Sequence, residues 1–394
     1  MIRLARTTSS LVVCGMLLFF CLIAFGDGAV SVRADTPASE EAARERIAEK
    51  HEDSTAKKVV MVPVKVIAFP FWLIGKGIEA GLLTVENRHL IEKSAAFSEK
   101  LTRRGLTILY GVGYDGAGFG GGVEWTPPVT PITPTVSGAI SYNLYQVYRV
   151  RLDFSGLVGN KVGLAGETRY RVLPQEDFYG IGPGSKREDR TTYKLEQTLV
   201  PLTVNRPFTP KIQFDASVEY NNSNTYSGED ERWPSTEEVF SPDEVPGLDT
   251  GAEMVTATVA LSYLGFDRPG DPRSGIFAKA LVGVSAEIDG LPYDYYRAYA
   301  EFFGFLPVLG GGNRFGPRGS IGVRVYADIN EPIKEDGVVP FFKMPRVGGS
   351  NTLRGFREFR FTDNNAAVFN VEYKYPIQHL LEAVLFWDEG QVWG

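Results

Sequence analysis

One arginine and two carboxylates near the carboxyl end of the chain have the residue types needed for charge pairing. Arg354 lies in a glycine-rich segment, and Glu372 and Asp388 follow it in the sequence. Because glycine permits backbone angles and close approaches that other residues resist, such a segment can fold back on itself. A guanidinium and a carboxylate form strong, charge-assisted hydrogen bonds. We therefore expect Arg354 to fold inward and pair with both carboxylates, which would hold a loop in place. The alternative is a surface loop whose arginine contacts only solvent.

The stretch that contains Glu372 alternates between two kinds of side chain. One set is aromatic or aliphatic and consists of Phe369, Val371, Tyr373 and Tyr375. The other set is polar and consists of Asn370, Glu372 and Lys374. This period of two predicts a strand with one apolar side and one polar side. Glu372 would then project from the polar side of the strand.

From residue 106 onward the chain is a series of such alternating segments, separated by clusters of glycine, proline, asparagine and aspartate. We predict strands at residues 106–115, 118–126, 134–144, 146–155, 161–172, 190–201, 211–221, 252–264, 275–287, 293–305, 318–329, 365–375 and 381–392. Their lengths suit tilted strands that cross an outer membrane. Several carry charges at their centres, which would be costly in a dry core but cost little in a watery lumen. The sequence therefore favours an all-β fold, a transmembrane antiparallel β-barrel; a soluble sandwich with one wet face is the alternative.

The carboxyl-terminal motifs resemble those of the BamA/TamA superfamily of outer-membrane barrels, also called the bacterial surface antigen family. The three motifs occur in order as Arg354-Gly355-Phe356, Glu372-Tyr373-Lys374-Tyr375-Pro376-Ile377 and Phe386-Trp387-Asp388-Glu389-Gly390. The resemblance implies that Arg354 forms a salt bridge with Asp388, with Glu372 close by. Gly355 and Phe356 would form the tip of a loop pinned inside the lumen.

Further residues match turns of the same family. Gly348 and Gly349 precede the loop tip, and Gly390 ends the last motif. A turn that begins with Asp267 and Arg268 and ends at Gly275 resembles the family's turn on the inner side of the membrane. The long connections at residues 173–189 and 221–251 are predicted to face the cell exterior, because long outer loops and short inner turns characterise these barrels.

The amino-terminal third has a different organisation. Residues 1–34 have a basic start, an apolar core and a small-residue cleavage site, the pattern of a secretory signal peptide; a retained helical anchor is the alternative. Residues 35–105 are predicted to be a mainly helical periplasmic segment. They do not show the strand and helix pattern of the POTRA modules that most members carry, so the chain resembles the POTRA-less branch. Residues 106–394 are assigned to the barrel domain.

The predicted strand count is odd, whereas the family resembled has sixteen strands. An open sheet would expose unpaired backbone to lipid. We therefore expect the sequence to be an incomplete copy of a longer protein, truncated by three strands at the carboxyl end. The alternative is pairing with another chain.

Other chemistry finds little support in the sequence. Both cysteines lie in the predicted signal peptide, and the three histidines are dispersed, so we expect no metal, no cofactor and no enzymatic activity. The formal net charge of −7 and the lack of a basic block exclude nucleic acid as an expected partner. The acidic residues of 221–251 could bind calcium, but they lack the spacing of a calcium loop, so a solvated charged loop is favoured.

The resemblance implies a non-catalytic function in the assembly, insertion or translocation of proteins or lipids at the bacterial outer membrane. The barrel's first and last strands would form a weak seam, and the inward Arg354 loop would block the pore. Outer-membrane lipid surrounds such a barrel, and unfolded outer-membrane proteins or lipids would be its clients. The alternative is a passive pore or a surface-binding barrel without assembly activity.

Overall fold

The structure, a computed structural model, describes residues 102–394 except residues 112, 115, 128–131, 155–161, 268–271, 309–318 and 379–380. The predicted signal peptide and nearly all of the predicted helical segment 35–105 lie outside the described residues. Within the described part of the chain, no helix has both the length and the apolar character to cross a bilayer.

Thirteen strands form one antiparallel sheet in which each strand pairs with the next along the chain, apart from a long loop inserted before the last two. The strands are β1 Leu106–Tyr110, β2 Gly120–Trp125, β3 Ile132–Ser141, β4 Gln146–Phe154, β5 Gly163–Phe178, β6 Thr191–Pro207, β7 Ile212–Ser227, β8 Ala252–Leu264, β9 Gly275–Glu287, β10 Tyr295–Pro307, β11 Ser320–Pro332, β14 Asn365–Gln378 and β15 Leu381–Trp393. The loop between β11 and β14 contains a two-stranded ribbon, β12 Arg346–Val347 and β13 Phe361–Thr362. One short helix, α1 Thr236–Val239, lies between β7 and β8.

The sheet has one polar face and one apolar face. On β10, Arg297 and Glu301 point to the same side and pair with Asp328 and Arg324 of β11. Phe302, the residue after Glu301, is exposed on the other side. We call the side with the ion pairs the inner face. This single antiparallel sheet of thirteen strands confirms the predicted all-β fold.

Two strands extend at their outer ends, and a third at its inner end, beyond the bounds predicted from the sequence. Residues 173–178 belong to β5 and residues 221–227 to β7, although the sequence suggested loops for both. The second extension has no apolar face. It is stabilised by a ladder of side-chain hydrogen bonds, in which Gln197 Nε2 donates to Ser223 Oγ and Ser223 Oγ donates to Asn221 Oδ1, each over 2.7 Å. Strand β6 likewise continues to Pro207, beyond its predicted end at residue 201.

The main hydrophobic core lies where the β11–β14 loop meets the inner face. Phe341 of this loop packs edge-to-face against Phe178 of β5 and Tyr193 of β6, with ring centroids 5.1 and 4.7 Å apart. All three side chains are buried. The loop thus supplies the apolar residues that the polar inner face of the sheet lacks.

Candidate functional site

The site consists of the loop between β11 and β14, residues 333–364, which touches widely separated strands. Its tip contacts β14 and β15 through Arg354, and its first ribbon strand contacts β5 through Arg346. The second ribbon strand bridges to the β5–β6 loop, where Gly182 N donates to Thr362 O over 2.8 Å. The loop therefore spans the space that the curved sheet encloses. We call the first contact the tip anchor and the second the base anchor.

The tip anchor centres on the carboxylate of Asp388. Arg354 donates to it from Nε over 2.8 Å, from Nη2 over 2.6 Å and from its backbone nitrogen over 3.0 Å. Asn370 Nδ2 donates to the same carboxylate over 2.8 Å. Asp388 and Asn370 lie directly opposite each other in the β14–β15 pairing, so the sheet itself fixes both partners.

Two further groups surround the Arg354 guanidinium. Glu372 Oε2 accepts from Nη1 over 3.2 Å, and the ring of Phe386 lies 3.9 Å from the guanidinium carbon. Glu372 and Phe386 are also register partners across β14 and β15. The hydrogen bonds that Arg354 donates to Asp388 raise the pKa of Arg354 above its ordinary value; burial opposes this shift, and Glu372 adds to it. The arginine is thus charged and held on three sides, although a quarter of its side chain remains exposed.

The backbone of the tip depends on two of the predicted glycines. Gly348 has φ +135°, and a Cβ there would lie 2.2 Å from the carbonyl oxygen of Arg357. Gly349 has φ +80°, and a Cβ would collide with the Glu358 carboxylate, which accepts from Ser350 N over 2.9 Å. These left-handed, crowded positions favour glycine. They allow the chain to turn back tightly enough to present Arg354.

The base anchor was not expected from the sequence. Arg346 Nη1 donates to Glu176 Oε2 of β5 over 2.7 Å, and its guanidinium carbon lies 3.8 Å from the ring centroid of Phe359. The side chain of Glu176 is only 2% exposed. Burial acts to lower the pKa of Arg346. Its interactions with Tyr193 and Glu176 outweigh burial, so the pKa of Arg346 is raised above its ordinary value. Burial, together with Glu176, also raises the pKa of the neighbouring Tyr145.

The structure brings some of the predicted site residues together and not others. Arg354, Glu372 and Asp388 form one cluster, and Gly390 lets Leu353 pack above β15, since a Cβ there would lie 3.2 Å from Leu353 Cδ2. Phe356, in contrast, is half exposed and touches Phe361 instead of the acidic cluster. Gly355 has open space around it.

Two residues of the tip anchor, Asn370 and Phe386, were missed in the sequence. Asn370 lies on the same polar face as Glu372, two residues away, so the alternation carried the signal for its position. Nothing local marks its role as a bridge, in which Nδ2 also donates to Thr352 O over 2.7 Å. Phe386 belongs to a quoted motif, but only the register places it opposite Glu372.

The predicted inner turn is partly described. Asp267 Oδ1 accepts hydrogen bonds from Arg273 N and Ser274 N over 3.0 and 3.1 Å. Gly275 has φ +108°, and a Cβ there would lie 2.2 Å from Gly265 O. Arg268 lies outside the described residues.

The acidic outer connection shows local pairing. Glu229 pairs with Lys194 over 2.9 Å and Asp230 with Arg232 over 2.8 Å. Across the part of the chain that the structure describes, no group of three or more His, Cys, Asp or Glu side chains is arranged to hold a metal ion.

Comparisons with known proteins agree with this architecture. A family model described as the Omp85 superfamily domain matches residues 134–394. BamA from Haemophilus ducreyi lacking POTRA domains 1–3 is similar in structure, with a TM-score of 0.54 and 17% identity over 74% of this chain and 58% of that chain. CdiB from Acinetobacter baumannii has a TM-score of 0.43 at 12% identity, covering 70% of this chain and 47% of that one. CdiB from Escherichia coli has a TM-score of 0.47 at 11% identity, covering 72% and 51%.

At these identities the likeness to BamA shows the fold alone, and this chain spans 58% of the length of that BamA chain. No curated protein sequence matches the chain.

Proposed function

Because the chain belongs to the Omp85 superfamily of bacterial outer-membrane β-barrels, we propose that it assembles, inserts or translocates proteins or lipids at the outer membrane. The proposed function is non-catalytic. The barrel wall lies in outer-membrane lipid, and its clients are unfolded outer-membrane proteins or lipids. The seam implied by the family resemblance is where such a client would enter.

One observation carries this proposal over a passive pore. The β11–β14 loop is anchored on β5 at one end and on β14 and β15 at its tip, so it crosses the enclosed lumen. A loop fixed by two arginines across the interior would obstruct the steady flow of ions that a passive pore requires. A barrel that handles clients at its wall can keep its lumen closed. The pinning role of Arg354, Glu372 and Asp388 is part of the proposal.

The experiment is reconstitution of the purified protein in liposomes, with an unfolded outer-membrane β-barrel protein as client. We expect the client to become protease-protected and to migrate as a folded, heat-modifiable band, faster than in liposomes without the protein. The same preparation in planar bilayers should conduct little. A large, steady conductance without any gain in client insertion would favour the passive pore instead.

A lipid client is tested by a separate assay. If the protein does not accelerate insertion of the protein client but remains closed to ions, transfer of a fluorescent lipid between the leaflets tests the other client class. Failure of both assays with a closed barrel would overturn the proposed function.

A further inference from the structure

A buried carboxylate without a cation lies where the β11–β14 loop rejoins the sheet. Asp363 is only 5% exposed. Within the part of the chain that the structure describes, its side chain forms no ion pair and accepts one hydrogen bond, from Asn364 N over 2.8 Å. Burial raises the pKa of Asp363, and the hydrogen bond from Asn364 opposes this shift only in part. Because a buried charge in a protein is ordinarily paired with an opposite charge or bound to a metal ion, Asp363 needs a partner.

Two asparagines form a row with this carboxylate. In the pairing of β11, β14 and β15, Asn364 lies between Asn330 and Gly394, and Asn330 N donates to Asn364 O over 3.2 Å. A Cβ on Gly394 would lie 2.4 Å from Asp363 Oδ1 and 3.5 Å from Asn364 Nδ2. The carboxylate of Asp363 therefore takes the place that a side chain at residue 394 would take, next to the carboxamide of Asn364.

The carboxamides of this row have buried atoms that lack hydrogen-bond partners among the described residues. Asn330 is 1% exposed, and both its Oδ1 and its Nδ2 are buried without a partner. Turning the carboxamide over does not change this, because neither atom is bonded. Asn364 Oδ1 is also buried without a partner. Buried polar atoms in proteins are nearly always hydrogen-bonded, so these oxygens indicate a bound species between them.

The arginine that neighbours the row does not supply the missing charge. Arg297 of β10 is the register partner of Asn330. Its guanidinium donates to Asp328 from Nε over 2.9 Å and from Nη2 over 2.7 Å, so this cation already has its own carboxylate. A cation that neutralises Asp363 would therefore come from solution.

We propose that Asp363, Asn364 and Asn330 bind a calcium ion where the loop rejoins the sheet; we call this the Asp363 site. Carboxylate and carboxamide oxygens are the ligands that Ca²⁺ takes, with water completing its shell. The site has one carboxylate, so it differs from the groups of three His, Cys, Asp or Glu side chains that the described residues lack. A single charged ligand predicts a dissociation constant of roughly 0.1–1 mM, the range of extracellular calcium modules. The ion would tie the end of the loop to β11, whether or not the proposed client activity holds.

The test compares the heat resistance of the purified protein in detergent with and without calcium. The midpoint of heat-modifiable migration is measured in EDTA and in about 10 mM CaCl₂, roughly ten times the weaker dissociation constant expected. We expect calcium to raise the midpoint by about 2–5 °C. Mg²⁺ should raise it less, because it demands a stricter geometry and gives up its water reluctantly. Luminescence of Tb³⁺, with Ca²⁺ as the competitor, measures binding directly, and Trp393 beside Gly394 absorbs the exciting light.

Three variants locate the calcium effect. Asp363→Asn should abolish the rise and should be at least as stable as the wild type in EDTA, because no carboxylate is then buried without a partner. Asn330→Asp adds a second carboxylate and should tighten calcium binding roughly tenfold. Asp336→Asn removes an exposed carboxylate from the same loop and should keep the wild-type rise.

Heat-modifiable migration of each variant also shows that it has folded. A wild-type protein with neither a calcium-dependent rise nor terbium binding would overturn the Asp363 site. A rise that persists in Asp363→Asn would also overturn it, because calcium would then act elsewhere on the protein. If Asp363→Asn does not fold, equal calcium affinities for the wild type and Asn330→Asp would rule the site out. Client insertion is measured separately, so a failed calcium site and a failed client activity give different results.

Discussion

The two anchors of the β11–β14 loop use the same chemistry in different surroundings. At the base, Arg346 meets one carboxylate, Glu176, which is almost fully buried. At the tip, Arg354 meets Asp388 and Glu372, its guanidinium is a quarter exposed, and Asn370 also binds Asp388. The two arginine side chains are similarly exposed, 22% at the base and 25% at the tip, so the anchors differ in their partners. Arg346 meets one carboxylate, whereas Arg354 meets two, and Asp388 also accepts from Asn370.

This difference assigns different costs to breaking the two contacts. A buried carboxylate that loses its only cation keeps the full penalty of desolvation. A buried carboxylate that keeps an amide donor, as Asp388 keeps Asn370, is partly compensated by that donor. We infer that the base anchor fixes the loop and that the tip anchor is the end that can be released. The predictions below test this inference, beginning with the contact whose loss should cost most.

Arg346→Ala should lower the free energy of unfolding by about 3–5 kcal/mol, because Glu176 would remain buried without a cation. Urea unfolding of the purified protein in detergent, followed by heat-modifiable migration, measures the change. Arg357→Ala removes an exposed arginine from the same loop and serves as the control, with an expected effect within about 0.5 kcal/mol. Equal losses in the two variants would contradict the base anchor.

Arg354→Ala should cost less, about 1–3 kcal/mol, since Asp388 keeps Asn370 and Glu372 keeps Lys374 as a partner. Arg354→Lys should recover part of the loss, because it keeps the charge but not the two side-chain donors that Arg354 directs at Asp388. The same unfolding assay applies. A larger loss for Arg354→Ala than for Arg346→Ala would reverse the comparison between the two anchors.

The tip anchor was predictable from the sequence and the base anchor was not, for a physical reason. Arg354, Glu372 and Asp388 lie in motifs within one stretch of chain, and the alternation of residues 367–375 fixes which side chains share a face. Arg346 and Glu176 are 170 residues apart, and only the tertiary fold brings them together. No local pattern encodes such a contact.

The bounds of the strands were likewise predictable from the sequence in some places and not in others. Strands β8 and β9 begin and end where the apolar alternation predicts them. Strand β7 continues through Asn221–Ser227 on polar residues that hydrogen-bond to one another, so a pattern that looks for an apolar face ends too early there. Alternation locates a strand where lipid or a core covers it, and not where side-chain hydrogen bonds extend it.

Asn370→Leu should cost about 1 kcal/mol, because it removes the donor shared by Asp388 Oδ1 and Thr352 O without removing a charge. Unfolding in urea again measures it, and Gln391→Leu on the exposed face of β15 is the matched control. In the background of Arg354→Ala the loss should grow, since Asp388 would then lack both donors. A loss that stays the same in both backgrounds would show that the two donors act independently.

The smallest effect concerns Lys343, which lies on the loop between the two hydrophobic residues Phe342 and Met344. Burial lowers the pKa of Lys343 to about 8, and Arg171 and Arg297 act in the same direction, while Glu219 opposes them. In the unfolded chain the lysine keeps its ordinary pKa, near 10.4. Between these two values the unfolded state holds more protons on this lysine than the folded state does. The contribution of Lys343 to stability should therefore rise with pH from about 8 toward 10.

Burial raises the pKa of Tyr145 and Tyr293 above the ordinary value near 10, so their ionisation in the unfolded chain lowers stability as the pH approaches 10. The measurement therefore stays at or below about pH 9, where little of this ionisation occurs. Solvent reaches part of the Lys343 side chain, so we expect a rise below about 1 kcal/mol. Heat resistance of the folded band between about pH 7.5 and about pH 9 measures it. Lys343→Met should remove the slope and stabilise the protein at pH 7.5, and Lys343→Arg, which stays charged, should also lack the rise. A wild-type stability that falls over this range relative to that of Lys343→Met would mean that Lys343 is paired with Glu219 in the folded loop, and the loop would then have a third charged contact ahead of its base anchor.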